Sequence, residues 1–106
     1  VQEKKGTADN NNVITFEGII KDIGGGGLRF VSNEVLEEGE KIKAAIVLNT
    51  EVIIVNGKIL HKQFFPKSNY KYQYRVEFIG ILKTEQEVIV QFIFEQQRKI
   101  LQKTKI

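Results

Sequence analysis

Residues 21–30 read KDIGGGGLRF: a strand-like run ends in a carboxylate, passes through four glycines and enters a second strand-like run. Gly24 to Gly27 carry no Cβ atom, so they permit left-handed backbone angles and let a ligand approach the backbone closely. N–H groups left free in such a turn can bond an anion or the edge of a base. A dinucleotide-binding glycine loop requires a helix after it, whereas an apolar strand follows here. The segment therefore predicts either a ligand-binding turn or a plain flexible turn.

Strand-like runs lie on both sides of this turn. Val13–Asp22 precedes it, Leu28–Ser32 follows it, and three more runs cover residues 41–48, 51–61 and 70–78. In the last run apolar residues alternate with charged residues, which predicts one row of side chains facing inward and one facing outward. Because strands do not alternate with helices, the sequence predicts an all-β fold, a six-stranded antiparallel β-barrel.

The polar N-terminus predicts a different kind of segment. Residues 1–12 end in Asp9-Asn10-Asn11-Asn12, whose short side chains bond their own backbone and favour turns. We therefore expect a mobile lead-in or a wide hairpin loop over residues 1–12 and one barrel domain over residues 13–106. Since the first residue is Val1 and not Met, we expect the chain to be a piece of a longer protein.

A C-terminal α-helix should complete the domain. Thr84-Glu85-Gln86-Glu87 has the spacing of a capping box, in which Thr84 and Glu87 bond each other's backbone N–H groups, and a helix should run from about Glu85 towards Gln102. Its apolar arc is wider than the roughly 100° stripe of a surface helix, so one barrel face cannot cover it. We expect a protein partner, a further N-terminal domain or a second copy of the chain in a homodimer to pack on the remaining side.

Composition limits the classes of function. The 106 residues suffice for one core, and the net charge of +3 is spread along the chain. Without cysteine the chain has no disulfide and no thiolate, which favours a reducing compartment, the cytoplasm. No apolar run reaches the roughly 18 residues needed to span a bilayer.

The inventory for catalysis is poor. The one histidine, His61, is expected to face solvent from a strand, and Ser32 and Ser68 have no base near them in sequence. We therefore predict no catalytic residue, no metal site and no enzyme activity.

Several spaced patterns together resemble the PilZ domain family over roughly residues 13–102. They are Asp22-Ile23-x-x-Gly26-Gly27-Leu28, Val55-x-Gly57-x-Ile59, Tyr74-x-Val76-x-Phe78 and Ile89-x-x-Phe92-Ile93. The resemblance implies a PilZ-like barrel with a C-terminal helix that acts as a receptor for cyclic di-GMP.

The resemblance also implies a site. The family motif Asp/Asn-x-Ser-x-x-Gly bonds a guanine of cyclic di-GMP; here Asp22 matches its acid and Gly27 its glycine, but Gly24 replaces its serine. The lost hydroxyl removes a hydrogen bond worth about 1 kcal/mol, a weakening of about fivefold. The implied ligand-binding residues are Asp22, Ile23, Gly24, Gly25, Gly26 and Gly27.

A second family motif, Arg-x-x-x-Arg, is absent, because the three arginines are Arg29, Arg75 and Arg98. In the family this motif precedes a segment equivalent to residues 1–12. Two alternatives follow: the motif stands upstream of Val1 in a longer protein, or the chain is a degenerate PilZ-like domain that does not bind the nucleotide and acts through protein contact. Residues 91–98 are similar to the end of flagellar-brake proteins, which implies control of flagellar motility or surface behaviour in a bacterium.

Tyr70, Tyr72 and Tyr74 suggest a third class of function, because alternate aromatic residues on a barrel strand can stack the bases of a single-stranded nucleic acid. Alternate aromatics also fill barrel cores, and we favour that interpretation. A nucleic-acid partner would need a denser basic patch than a charge of +3 supplies.

Overall fold

The computed structural model describes residues 2–6 and 13–104, with side chains described for residues 15–98. It contains a curled antiparallel sheet with the strand order β2-β1-β5-β6-β7-β4-β3 and a C-terminal helix. The elements are β1 (Gln2–Gly6), β2 (Val13–Glu17), β3 (Ile19–Ile23), β4 (Gly27–Ser32), β5 (Lys41–Leu48), β6 (Glu51–Phe64), β7 (Tyr72–Ile79) and α1 (Lys83–Thr104).

Gly18 explains why the sheet curls. The two edge strands, β2 and β3, are consecutive along the chain and only Gly18 separates them. A Cβ atom at Gly18 would lie 2.7 Å from Cδ2 of Phe30, so the chain crosses β4 at a distance that only glycine allows. The buried Ser32 hydroxyl donates to the Glu17 carbonyl oxygen at 2.9 Å, which ties the end of β2 to the end of β4.

The prediction of six strands was wrong by one, since the described part of the chain has seven. The run predicted as one strand, Val13–Asp22, divides at Gly18, and β1 lies inside the segment predicted as a mobile lead-in. β1 has a polar sequence with little strand signal, but it pairs with β2 on one side and with β5 on the other. Partners on both sides outweigh a weak local preference. Val1 and residues 7–12 of the expected lead-in lie outside the described residues.

The core lies on the concave face of the sheet. In β7, Tyr74, Val76 and Phe78 are buried while Arg75 and Glu77 are exposed, which confirms the predicted alternation from Tyr74 onward. Tyr70, which was also predicted to face inward, precedes the strand and is exposed. Burial of each large apolar side chain stabilises the fold by roughly 1.5–3 kcal/mol. The core residues that are least exposed come from β4, the loop after it, β5, β6, β7 and α1: Phe30, Leu36, Ile46, Ile59, Tyr74 and Ile89.

Tyr74 anchors the loop between β4 and β5 to the core. Its hydroxyl donates to the Glu34 carbonyl oxygen at 2.6 Å and accepts from the Leu36 N–H at 2.9 Å. Burial raises the pKa of Tyr74 above its ordinary value, so the hydroxyl stays protonated and able to donate. Its ring packs on Phe30 with the centroids 5.2 Å apart.

Helix α1 begins two residues before the predicted start, at Lys83. The carboxylate that reaches back to cap it belongs to Glu85, which accepts from the Leu82 N–H at 3.0 Å, and not to Glu87 as predicted. The reason is the turn before the helix: Gly80 has a φ of 62°, which redirects the chain early enough for Leu82 to accept the first helical bond, from the Gln86 N–H. Within the described part of the chain, no helix is long and apolar enough to cross a bilayer.

Candidate functional site

A surface groove of about 470 Å³ lies beside the glycine turn, on the outer side of the sheet. We call it the glycine-turn groove. Five of the six predicted ligand-binding residues line it, and four residues of β6 and β7 complete its opposite wall: Leu60, Arg75, Val76 and Glu77. Gly25, the sixth predicted residue, faces helix α1 instead, since a Cβ atom there would lie 3.5 Å from the Val90 side chain.

The turn leaves two backbone donors without a partner among the described residues. The Gly24 N–H donates to the Gly27 carbonyl oxygen and the Phe78 N–H donates to the Gly26 carbonyl oxygen, both at 2.9 Å. The N–H groups of Gly25 and Gly26 bond no residue in the part of the chain that the structure describes. These two donors can bond an oxygen of a ligand.

The glycines of this turn do not use the left-handed backbone angles that they permit. Among the described residues, the glycines with positive φ are Gly39 and Gly80. Glycine is needed in the turn for another reason, because a Cβ atom at Gly27 would overlap the Val76 carbonyl oxygen. At Gly24 and Gly26 a Cβ atom would have no atom within 4 Å, so these positions have room for a side chain.

Asp22 stands at the mouth of the groove and is held by Arg29. A register shift between Ile20 and Asp22 precedes the cross-strand pair of Asp22 and Arg29. The Arg29 Nε and Nη2 atoms both lie 2.8 Å from Oδ2 of Asp22. Oδ1 bonds no described residue, and the Asp22 side chain is 63% exposed. The carboxylate is therefore oriented by the protein and still open to a ligand.

Arg29 is itself fixed from the other side. Its Nη1 donates to Oε1 of Gln73 at 3.0 Å, and the Gln73 Nε2 donates to Oε1 of Gln63 at 2.9 Å. The chain of bonds crosses β3, β4, β7 and β6 on the outer face. Such a chain limits the rotamers of Arg29 and so positions Asp22.

Sequence reasoning missed the second wall of the groove. Arg75 and Glu77 lie far from Asp22 along the chain, and only the pairing of β4 with β7 brings them to the same groove. The available signal was the outward row of β7, where polar residues alternate with the core. That row predicted exposed side chains on β7, but not that they would lie beside the glycine turn.

Helix α1 contacts the turn directly. The Gln86 Nε2 donates to the Gly25 carbonyl oxygen at 3.0 Å, and Val90 packs beside Gly25. A change in the conformation of the turn would therefore alter the packing of helix α1.

The other candidate residues have structural surroundings. Tyr74 is fully buried and cannot stack a base, which leaves the tyrosine row without its third member. His61 faces solvent as predicted, with Nδ1 3.6 Å from a carboxylate oxygen of Glu38. The described residues contain no group of three or more His, Asp or Glu side chains that could hold a metal ion.

The model of the PilZ domain matches residues 5–95, which include all the strands from β2 to β7 and the first half of α1. No curated protein and no solved structure matches the chain.

Proposed function

The chain belongs to the PilZ domain family, and on that premise we propose that its glycine-turn groove binds cyclic di-GMP. PilZ domains form a family of cyclic di-GMP-binding receptor modules and are not known as enzymes. The observation that carries the proposal is the grouping of the residues matching the family motif, Asp22, Gly24 and Gly27, on one wall of an open groove.

The chemistry of the groove suits a guanine. Guanine offers N–H donors on its Watson–Crick edge, and O6 and N7 as acceptors. Oδ1 of Asp22 can accept from those donors in a charge-assisted hydrogen bond. The free N–H groups of Gly25 and Gly26 can donate to ligand oxygens. The groove thus supplies both acceptors and donors to a nucleotide.

Gly24 makes the proposed site weaker than the motif implies but does not block it. The hydroxyl of the family's serine is absent, at a cost of about 1 kcal/mol in binding. Nothing within 4 Å fills the space that this side chain would take, so the groove remains open to the ligand.

The proposed output passes through helix α1. A ligand on the turn would alter the Gln86 bond to Gly25 and thereby the packing of the helix. A neighbouring domain or partner on that helix would respond. In this proposal the protein is a cytoplasmic signalling module of a bacterium that controls flagellar motility or surface behaviour.

The proposal is tested by calorimetric titration of cyclic di-GMP into the chain and into an Asp22→Ala variant. We expect the variant to bind at least tenfold more weakly, because a hydrogen bond to a charged group is worth about 1.5–3 kcal/mol. Glu51→Ala is the matched control, since Glu51 is an exposed strand carboxylate away from the groove. Equal affinity of the Asp22→Ala variant and the unchanged chain would contradict the assignment of the site.

A second candidate function is protein contact without the nucleotide, and the surface of α1 favours it. Phe94 is 59% exposed, Val90 is 40% exposed and Leu82, just before the helix, is 63% exposed. Apolar residues clustered in this way are typical of a surface that another protein covers. Absence of cyclic di-GMP binding by the folded chain would favour this candidate, and a monodisperse monomer in sedimentation at high concentration would exclude the homodimer form of it.

A further inference from the structure

Arg75 is a cation of the glycine-turn groove that none of the described residues neutralises. It is exposed near the middle of β7 and lines the groove opposite Asp22. Its guanidinium makes no hydrogen bond or ion pair with any residue in the described part of the chain. Arg29, by contrast, is committed to Asp22 and Gln73.

The register places Arg75 directly opposite a second arginine, Arg29 of β4. Like charges directly opposite each other across strands destabilise a sheet. Asp22 compensates Arg29, whereas Arg75 has no carboxylate within bonding distance among the described residues. An anion bound at Arg75 would offset the repulsion between the two arginines.

Glu77, two residues further along β7, adds a carboxylate to the groove. It lines the same groove and forms no ion pair with a described residue. The β7 wall therefore carries a cation beside a carboxylate. A ligand with an anionic group and N–H donors matches both, and a simple anion matches only the first.

We propose that Arg75 binds a phosphate group of the ligand in the glycine-turn groove, with Arg29 as the positioning residue that orients Asp22 towards the base. This inference rests on the proposed function and adds the residue that meets the anionic part of the ligand. β3 and β7 are separated by one strand, so their backbones are roughly 10 Å apart. The Arg75 side chain is long enough to extend across part of that distance. The planar set of donors on its guanidinium suits the oxygens of a phosphodiester.

The test compares Arg75→Gln, Arg75→Lys and the matched control Arg98→Gln by titration with cyclic di-GMP. Arg98 is an exposed arginine on α1, so its variant has the same change of charge away from the groove. We expect at least a tenfold loss for Arg75→Gln, a smaller loss for Arg75→Lys and no change for Arg98→Gln. Raising the salt concentration should weaken the unchanged chain more than Arg75→Gln.

A second readout separates a phosphate contact from a change in the groove. The Arg75 Nε–H resonance, identified by its loss in the Arg75→Gln spectrum, should shift on addition of cyclic di-GMP and stay in place on addition of guanosine, which has no phosphate. Equal binding by Arg75→Gln and the unchanged chain would overturn this inference and leave the proposed function standing. Absence of cyclic di-GMP binding by the unchanged chain would overturn both.

Discussion

The two ends of the glycine turn differ in how much space surrounds them. At Gly27, which we call the packed end together with Val76 and Tyr74 of β7, a Cβ atom would overlap the backbone of the neighbouring strand. At Gly24, which we call the open end together with Asp22, a Cβ atom would meet nothing within 4 Å. The same residue type thus serves strand pairing at one end and leaves a surface for a ligand at the other.

Because of this difference, the packed end of the four-glycine turn contributes to the stability of the sheet, whereas the open end is available for ligand recognition. A change at the packed end must move β4 or β7, because interiors are close-packed and backbone atoms cannot give way like the end of a flexible side chain. A change at the open end alters what a ligand contacts and leaves the sheet in place. Substitutions at the two ends should therefore affect different measurements.

The largest effect is expected for Gly27→Ala. The added methyl group overlaps the Val76 carbonyl oxygen, so β4 must separate from β7 at a cost of about 3 kcal/mol or more. Urea denaturation measures the free energy of unfolding, and Gly24→Ala is the matched control at the open end. Equal stability of the two variants would show that the packed end is not packed as described.

Tyr74→Phe should have the next largest effect, again at the packed end. The variant keeps the buried ring but leaves the Glu34 carbonyl and the Leu36 N–H without their partner, which should lower the free energy of unfolding by about 2 kcal/mol. Tyr70→Phe is the control, because Tyr70 is exposed and precedes β7. Under conditions where both variants are folded, their affinity for cyclic di-GMP should match that of the unchanged chain. A loss of affinity in Tyr74→Phe alone would contradict the independence of the packed end and the open end.

The smallest effect is expected for Gly24→Ser at the open end. The variant supplies the hydroxyl of the family motif in a space that is empty and at a φ that is not left-handed, so the fold should tolerate it. One added hydrogen bond of about 1 kcal/mol should tighten cyclic di-GMP binding about fivefold. Gly26→Ser, at the other open position, should give no gain; similar gains in both variants would contradict the match between Gly24 and the motif position.

Part of the fold was predictable because its signals are local. The alternation in β7 identified the buried row, and the four glycines identified the turn between β3 and β4. Gly18 was missed because it lies within an unbroken β-rich run and its role depends on Phe30 of another strand. β1 was missed because its polar sequence has little strand preference of its own.

The candidate site divides in the same way. Asp22 to Gly27 are contiguous, so their common location follows from the sequence and their match to the family motif could be made residue by residue. The ion pair of Asp22 with Arg29 depends on the hairpin register, and the contribution of Arg75 depends on the pairing of β4 with β7. Neither pairing can be read from spacing along the chain.

The sequence by itself determined an antiparallel β-rich domain with a C-terminal helix, its family, and the turn on which the proposed site is built, because alternation, glycine content and motif spacing are properties of neighbouring residues. Only the tertiary structure decided which glycine needs to be a glycine, which arginine is already committed to Asp22 and which one lines the groove without a partner among the described residues. Those properties depend on distances between strands, and register and curvature set such distances only once the sheet has formed.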